Sequence, residues 1–240
     1  SLRETSSRSL NAKIVHINKE VAPQTKKTDQ DNYNVFSVSY NYSKPDIIKE
    51  LRSRFNTEFA KDFSKVSLDL RYRALSSSDT QLDFRFFAGA FLSNKTKSDY
   101  FSFGLDRPND YLFQLNYHGR SEDSGIFSQQ YIITEGGFKS VLPTRFANQF
   151  MSSFNTSIGL WRWVELYNDV AFLKNRNQPV YFAYENGVRF NFVHEIFEIY
   201  FPLYSNNGWE VQQNAYPEKI RFTFSASLGA VYNFFRRGFL

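Results

Sequence analysis

The run His194-Glu195-Ile196-Phe197-Glu198 comes within one residue of the HExxH zinc signature, in which two histidines bind one ion and the glutamate between them serves as general base. That spacing works on a helix, where four residues rise about 6 Å and return to nearly the same side. Here the fifth residue is Glu198, and the neighbours carry a different period. Glu195, Phe197, Ile199, Phe201 and Leu203 share one face of an extended chain, and His194, Ile196, Glu198, Tyr200 and Pro202 share the other. Four strand residues span about 13 Å, too far for one ion. The stretch therefore predicts a strand, and no catalytic residue or metal ligand is assigned to it. His16 and His118 lie far away without ligand spacing. The chain has no cysteine, which excludes thiolate zinc sites, disulfides and cysteine nucleophiles. GxSxG, P-loop and dinucleotide-binding patterns are absent, and Gly136-Gly137 reads as a turn or bulge.

A second group able to do chemistry is Asp69, Arg71, Arg73, Asp83, Arg85, Glu185, Arg189, Glu198 and Arg221. Each occupies an alternate position in a strand-like run, which predicts a lumen-facing surface. Such a surface either lines an ion-permeable lumen or pairs across strands and fills a narrow barrel, and pairing is the favoured reading.

The elements that must position these charges are strands. KVSLDLRYRA and QLDFRFFAGAFL alternate strictly and read as a hairpin across SSSDT, with Leu68, Leu70, Phe84 and Phe86 opposite the charges. NVFSVSYNY, VYFAYENGVRFNF and IRFTFSASL follow the same rule and add Phe182, Phe190, Phe222 and Phe224 to the apolar face, as FEIYFPLY adds Phe197, Ile199 and Phe201. Weaker strands are expected at 10–20, 47–58, 125–134, 144–160 and 161–173. Several runs approach the roughly 10 residues of a membrane-spanning strand. The predicted fold is all-β: an antiparallel transmembrane β-barrel of roughly 10 to 12 strands, its apolar face toward lipid. Residues 33–240 would form the barrel, after an N-terminal segment, 1–32, with a first strand and a polar loop.

Aromatic residues near strand ends fit the belts that anchor barrels at the headgroups: Tyr40, Tyr42, Trp161, Trp163, Tyr181, Tyr184, Tyr200 and Tyr204. Short turns at Ser43 to Pro45, Ser76 to Thr80 and Lys174 to Pro179 contrast with a long connection, Ser93 to Gly125. Its Tyr100, Phe101, Phe103, Tyr111 and Phe113 are expected to be exposed for protein partners.

Composition agrees with this architecture. The chain of 240 residues carries 27 Phe and 15 Tyr, no window of it is a helical membrane span, and barrel strands escape such a search. The net charge of +5 is spread among acidic residues rather than gathered in a basic stripe, which argues against nucleic acid. The opening SLRETSSRSL lacks both an initiator methionine and a signal core, so either a leader has been removed or a longer polypeptide precedes it.

The segments DYFSFGLDRPNDYLFQLNYHGRSEDSGIFSQQYIITEGGFKS, FANQFM, LWRWVELYNDVAF and FEIYFPLYSNNGWEVQQNAYPEKIRFTF, with the closing FFRRGFL, resemble the C-terminal region of membrane-associated gluzincin (M1-like) aminopeptidase homologues of Bacteroidota. The likeness spans roughly Tyr33 to Leu240. It implies the membrane portion of a zinc-metallopeptidase-like protein, located in the bacterial outer membrane. The catalytic HExxH and its zinc would lie upstream, so this chain itself needs no cofactor. The expected function is an outer-membrane anchor or scaffold, contacting lipid and other outer-membrane proteins through its long loops. The alternative is a small outer-membrane channel.

Overall fold

The computed structural model describes residues 6–18, 32–46, 48–75, 80–96, 99–105, 112, 138–140, 142–144, 146–161, 163–193 and 197–224. Its strands in chain order are β1 (Ser7–Asn18), β2 (Asn32–Pro45), β3 (Lys49–Ala60), β4 (Phe63–Leu75), β5 (Gln81–Asn94), β6 (Phe103–Gly104), β7 (Phe146–Ala147), β8 (Phe150–Trp161), β9 (Val164–Lys174), β10 (Tyr181–Val193), β11 (Phe197–Ser205), β12 (Gly208–Trp209) and β13 (Arg221–Phe224). Eleven of them form one sheet in the order β1-β2-β3-β4-β5-β8-β9-β10-β11-β12, with β13 also on β11. All its pairings are antiparallel. β6 and β7 make a separate small ladder. The expected strand 125–134 lies outside the described residues.

The main sheet is a meander of long strands, 12 to 14 residues from β1 to β5. It curls: Arg189 on β10 reaches Asp83 on β5 at 3.2 Å, although β8 and β9 lie between them. Among the described residues β1 and β13 do not pair, so the described sheet is curled and antiparallel without a closing seam.

Connections divide unequally between the two ends. Those at 46–48, 76–80, 162–163 and 194–196 are short and share one end. The other end takes 19–31, 61–62, the segment between β5 and β8, 175–180 and most of 206–220. The hairpin at Lys174 to Pro179 therefore sits opposite Ser76 to Thr80, because the meander returns β9 to the long-connection end.

On several strands polar residues are buried while apolar ones are exposed. On β2, Val35, Ser37 and Ser39 are buried while Phe36 and Tyr40 are exposed. On β8, Ser153, Asn155 and Ser157 are buried, and Phe154 and Ile158 are exposed. On β9, Glu165 and Asp169 are buried beside exposed Leu166 and Phe172. The register aligns these choices from strand to strand, as where Leu70, Phe86 and Phe154 stand opposite one another. One face of the sheet is thus apolar and outward, and the other polar and enclosed.

The enclosed face is not polar throughout. Toward the long-connection end, the segment between β5 and β8 turns inward and supplies Phe101, Phe103, Leu105, Phe138 and Leu142 to two apolar clusters with Val35, Phe63, Met151 and Leu173. Gly89 gives Phe103 its place, since a Cβ there would stand 2.6 Å from the ring. The expectation that Phe101 and Phe103 are exposed for partners is therefore corrected: they are 2% and 7% exposed, because the sheet's interior is the nearest surface on which they can shed water. Tyr100 stays at the edge of that cluster, its hydroxyl accepting from Tyr33 at 2.9 Å. Tyr111 and Phe113 lie outside the described residues.

Candidate functional site

The curl brings the charged positions of β3, β4, β5, β9, β10, β11 and β13 onto one inner surface. Asp69 accepts from Arg71 at 3.2 Å and from Arg85 at 2.7 Å. Asp83 accepts from Arg73 at 2.9 Å and from Arg189 at 3.2 Å. Arg189 also binds Glu165 and Ser157, and lies 3.7 Å from Glu198, whose carboxylate accepts from the Tyr200 hydroxyl at 2.7 Å. Every residue of the expected lumen-facing set is on this face. Arg189, Glu198 and Glu185 are buried, whereas Arg71 retains 33% side-chain exposure.

A second cluster adjoins the first. Glu185, fully buried, accepts the backbone N–H groups of Lys139 and Ser140 at 2.6 and 2.7 Å. The Lys139 ammonium reaches Asp169 at 2.5 Å and lies over the rings of Tyr167 and Tyr200, 4.7 and 4.9 Å from their centroids. Asn155 donates to the same Asp169, and Arg221 donates to the Lys139 carbonyl at 2.8 Å. Residues 138–140 are thus clasped against β9, β10 and β13 by both main chain and side chain. Lys139, Asp169 and Glu165 were not singled out by sequence reasoning. For the two acids a signal existed, since Glu165, Tyr167 and Asp169 alternate with Leu166, Asn168 and Val170. For Lys139 there was none, because its place depends on contacts distant in sequence.

Of the apolar set, Leu68, Leu70, Phe84, Phe86, Phe182, Phe190, Phe197, Ile199, Phe201 and Phe222 lie on the outward face, half-buried to exposed. The side chain of Phe224 lies outside the described residues. Among the aromatics near strand ends, Tyr42, Trp161 and Trp163 stand near the short-turn end, and Tyr184, Tyr204 and exposed Trp209 near the other. Tyr40 is outward but further from its strand end. Two residues depart from the expectation. Tyr200 is 2% exposed on the inner face, because its alternation partner Glu198 points inward and the hydroxyl binds it. Tyr181 packs against the inner apolar cluster, opposite buried Leu173.

HEIFE falls only partly within the described residues. His194, Glu195 and Ile196 lie outside the described residues, while Phe197 and Glu198 are on β11. Glu198 is committed to Tyr200 and Arg189. Among the described residues no three of His, Asp and Glu gather as a metal site, and His16 is exposed, its Nδ1 2.6 Å from the Asn34 amide oxygen.

At the long-connection end, Glu210 is buried and holds β11 to the short helix that follows it. It accepts from Ser205, and from Lys219 at 2.6 Å. Burial works to raise its carboxyl, but the bonds from Lys219 and Ser205 prevail and hold it below the ordinary carboxylate range. A lowered folded-state value stabilises the fold above the unfolded value and loses that contribution as pH falls. Glu210→Gln is therefore expected to lower the melting temperature at pH 7, with the gap to wild type closing as pH drops below the carboxylate range. Paired thermal melts across pH check this; a gap independent of pH would contradict it.

No family model, no curated protein and no solved structure matches this chain.

Proposed function

We propose that this chain is a bacterial outer-membrane β-barrel that acts as an anchor or scaffold. The observation that carries this reading is the inversion of burial. Leu10, Ile14, Phe55, Phe59, Leu92, Phe154, Ile158, Phe172 and Phe182 are exposed on strands whose other face buries Asp169, Glu185, Arg189 and Glu198. Apolar surface left in water costs about 25 cal/mol per Å², and a soluble monomer's largest apolar patch is about 300–600 Å². A band spread over successive strands suits hydrocarbon instead. Strand length, aromatic residues near both ends and short connections at one end support the same reading. The short-turn end then faces the periplasm, as in other outer-membrane barrels.

The resemblance to gluzincin-like proteins extends the proposal: the barrel tethers a peptidase-like region whose zinc chemistry lies outside this chain. No step of peptide hydrolysis is assigned to this chain, since no group of three His, Asp or Glu gathers among the described residues. The channel alternative draws on the charged interior. The clasped residues 138–140 and the inward Phe101, Phe103 and Phe138 count against it, since they fill the space that a steady current would need.

The test is the behaviour of the purified chain. It is expected to require detergent for extraction and to migrate differently on gels before and after boiling, as closed barrels do. A monodisperse protein without detergent would overturn the reading. Stable unit conductance in a planar bilayer would favour the channel over the anchor.

A further inference from the structure

Asn94 at the end of β5, Asn148 between β7 and β8, and Asn175 after β9 meet at the long-connection end, where they pin three parts of the chain together. The Asn148 backbone N–H donates to the Asn175 side-chain oxygen at 2.8 Å, and the Asn175 amide donates to the Phe146 carbonyl at 2.7 Å. The Asn148 side-chain oxygen accepts from the Arg176 backbone at 2.8 Å, and the Asn94 amide donates to the Asn148 carbonyl at 2.8 Å. Arg176 closes the ring by donating from its guanidinium to the Asn94 carbonyl. Asn177, at φ 60°, turns the chain so that the Gln178 N–H bonds back to the Asn175 carbonyl at 3.2 Å. Side chains that bond the main chain in this way fix loop geometry where no ladder can.

Beside these pins lies a cleft of about 360 Å³, within the roughly 300–1,000 Å³ of small-ligand sites. One water needs about 10–15 Å³, so an inorganic ion fills only a fraction of the space. Most of its described lining is polar, which suits a lipid tail poorly. Thr144 contributes a hydroxyl, Asn148 and Gln178 contribute amides, and half-buried Phe146 contributes one ring. The asparagine pins use the Asn148 side-chain oxygen and one guanidinium nitrogen of Arg176. The Asn148 side-chain nitrogen, the Gln178 amide and the other Arg176 nitrogens have no partner among the described residues.

The geometry points to this cleft as a binding site for an acidic saccharide, a sugar that carries a carboxylate or phosphate. A sugar hydroxyl donates and accepts at once, and the amides of Asn148 and Gln178 match both roles. The Phe146 ring offers an apolar surface to the C–H face of a sugar. The remaining N–H groups of Arg176 suit the acidic group, since a guanidinium forms its strongest bonds with carboxylate and phosphate oxygens. In the proposed barrel this end faces away from the periplasm, so the ligand arrives from outside the cell. The chemistry of the cleft is independent of the barrel reading, which supplies only that side.

The test uses the full chain folded in lauryldimethylamine oxide, a detergent without sugar. Digalacturonate and the neutral disaccharide maltose are titrated separately by calorimetry at matched ionic strength. Digalacturonate is expected to bind about tenfold more tightly, the scale of one hydrogen bond to a charged group. A further arm presents a glucuronic acid headgroup on a glycerolipid in phosphatidylcholine bicelles. Binding there alone assigns the ligand to a lipid headgroup, and binding of digalacturonate assigns it to a free glycan. Arg176→Gln should bring digalacturonate down to the level of maltose, and Arg176→Lys, which keeps the charge, should retain most of the preference. Gln178→Ala should weaken both sugars alike, and it serves as the test should Arg176→Gln fail to fold. A wild type that binds no acidic saccharide in either arm, or binds it no better than maltose, overturns the site. So does a folded Arg176→Gln that keeps the preference, or a Gln178→Ala that binds both sugars as wild type does. A chain soluble without detergent overturns the barrel reading instead, and the same titrations in buffer then decide the cleft.

Discussion

Glu185→Ala is expected to destabilise the protein by about 3–5 kcal/mol and to open the Lys139–Ser140 bond to trypsin. Glu185 is fully buried, and its two oxygens hold the N–H groups of Lys139 and Ser140. Alanine leaves both donors without an acceptor in a place water does not freely reach, and it removes one of the carboxylates that face the Lys139 ammonium. Stranding such groups costs more than the bonds contribute net, because the desolvation already incurred is no longer offset. The partners that remain, Asp169 on the ammonium and Arg221 on the carbonyl, grip side chain and carbonyl but do not replace the lost acceptor. Local release is thus the expected route of failure. Trypsin cleaves after lysine, so Lys139 reports its own exposure: wild type should resist at this bond, and the variant should be cut there before elsewhere. Glu185→Gln keeps one acceptor oxygen and should show an intermediate rate. Equal resistance of wild type and Glu185→Ala would contradict the clasp.

The clasp also marks where sequence reasoning stopped. Alternation is a local property, and it sorted Leu68 from Asp69 and Phe190 from Arg189 because a strand allows only two sides. It could not say which side is enclosed, and here the inversion of burial decides. The long connection defeated it for a different reason. Phe101 and Phe103 read as exposed because loops usually run over a surface, whereas this one turns into the sheet and finds Gly89, Phe91 and Met151 there. Nothing in the neighbourhood of Lys139 signals Asp169 or Glu185, which lie on strands remote in sequence. Tyr200 failed more instructively. Its alternation placed it beside Glu198, but its residue type suggested a headgroup belt; geometry outweighed type, and the hydroxyl bonds the carboxylate two residues away. Likewise, HEIFE resembled a zinc motif by composition, while its period placed Glu198 opposite Phe197. Residue type nominates chemistry, and in a strand the period decides which face can carry it out.

The same logic makes the outward face the sharpest test of the surroundings. Phe154→Arg is expected to cost about 2–4 kcal/mol if this face meets lipid at depth, and to change stability by no more than about 0.5 kcal/mol if it meets water. Phe154 is 40% exposed, stacks on Phe84 at 5.9 Å and stands opposite Phe86 and Val170, within the body of β8. In water its replacement would lose part of one ring contact and gain a hydrated charge, so the two effects nearly offset. In hydrocarbon the guanidinium finds no water and no inward partner, because the carboxylates lie behind the sheet. Depth supplies the internal control. If the outward face meets lipid, Trp161→Arg, at the short-turn end of the same strand and 77% exposed, should cost about 0–1 kcal/mol, because the side chain would reach the headgroups. Reversible unfolding from lipid vesicles, with urea titrated against both variants, measures the difference. A large penalty at residue 154 with a small one at residue 161 requires a medium whose polarity changes along the strand, as a bilayer's does. Equal, small penalties at both positions would instead return the apolar face to water or to a protein partner.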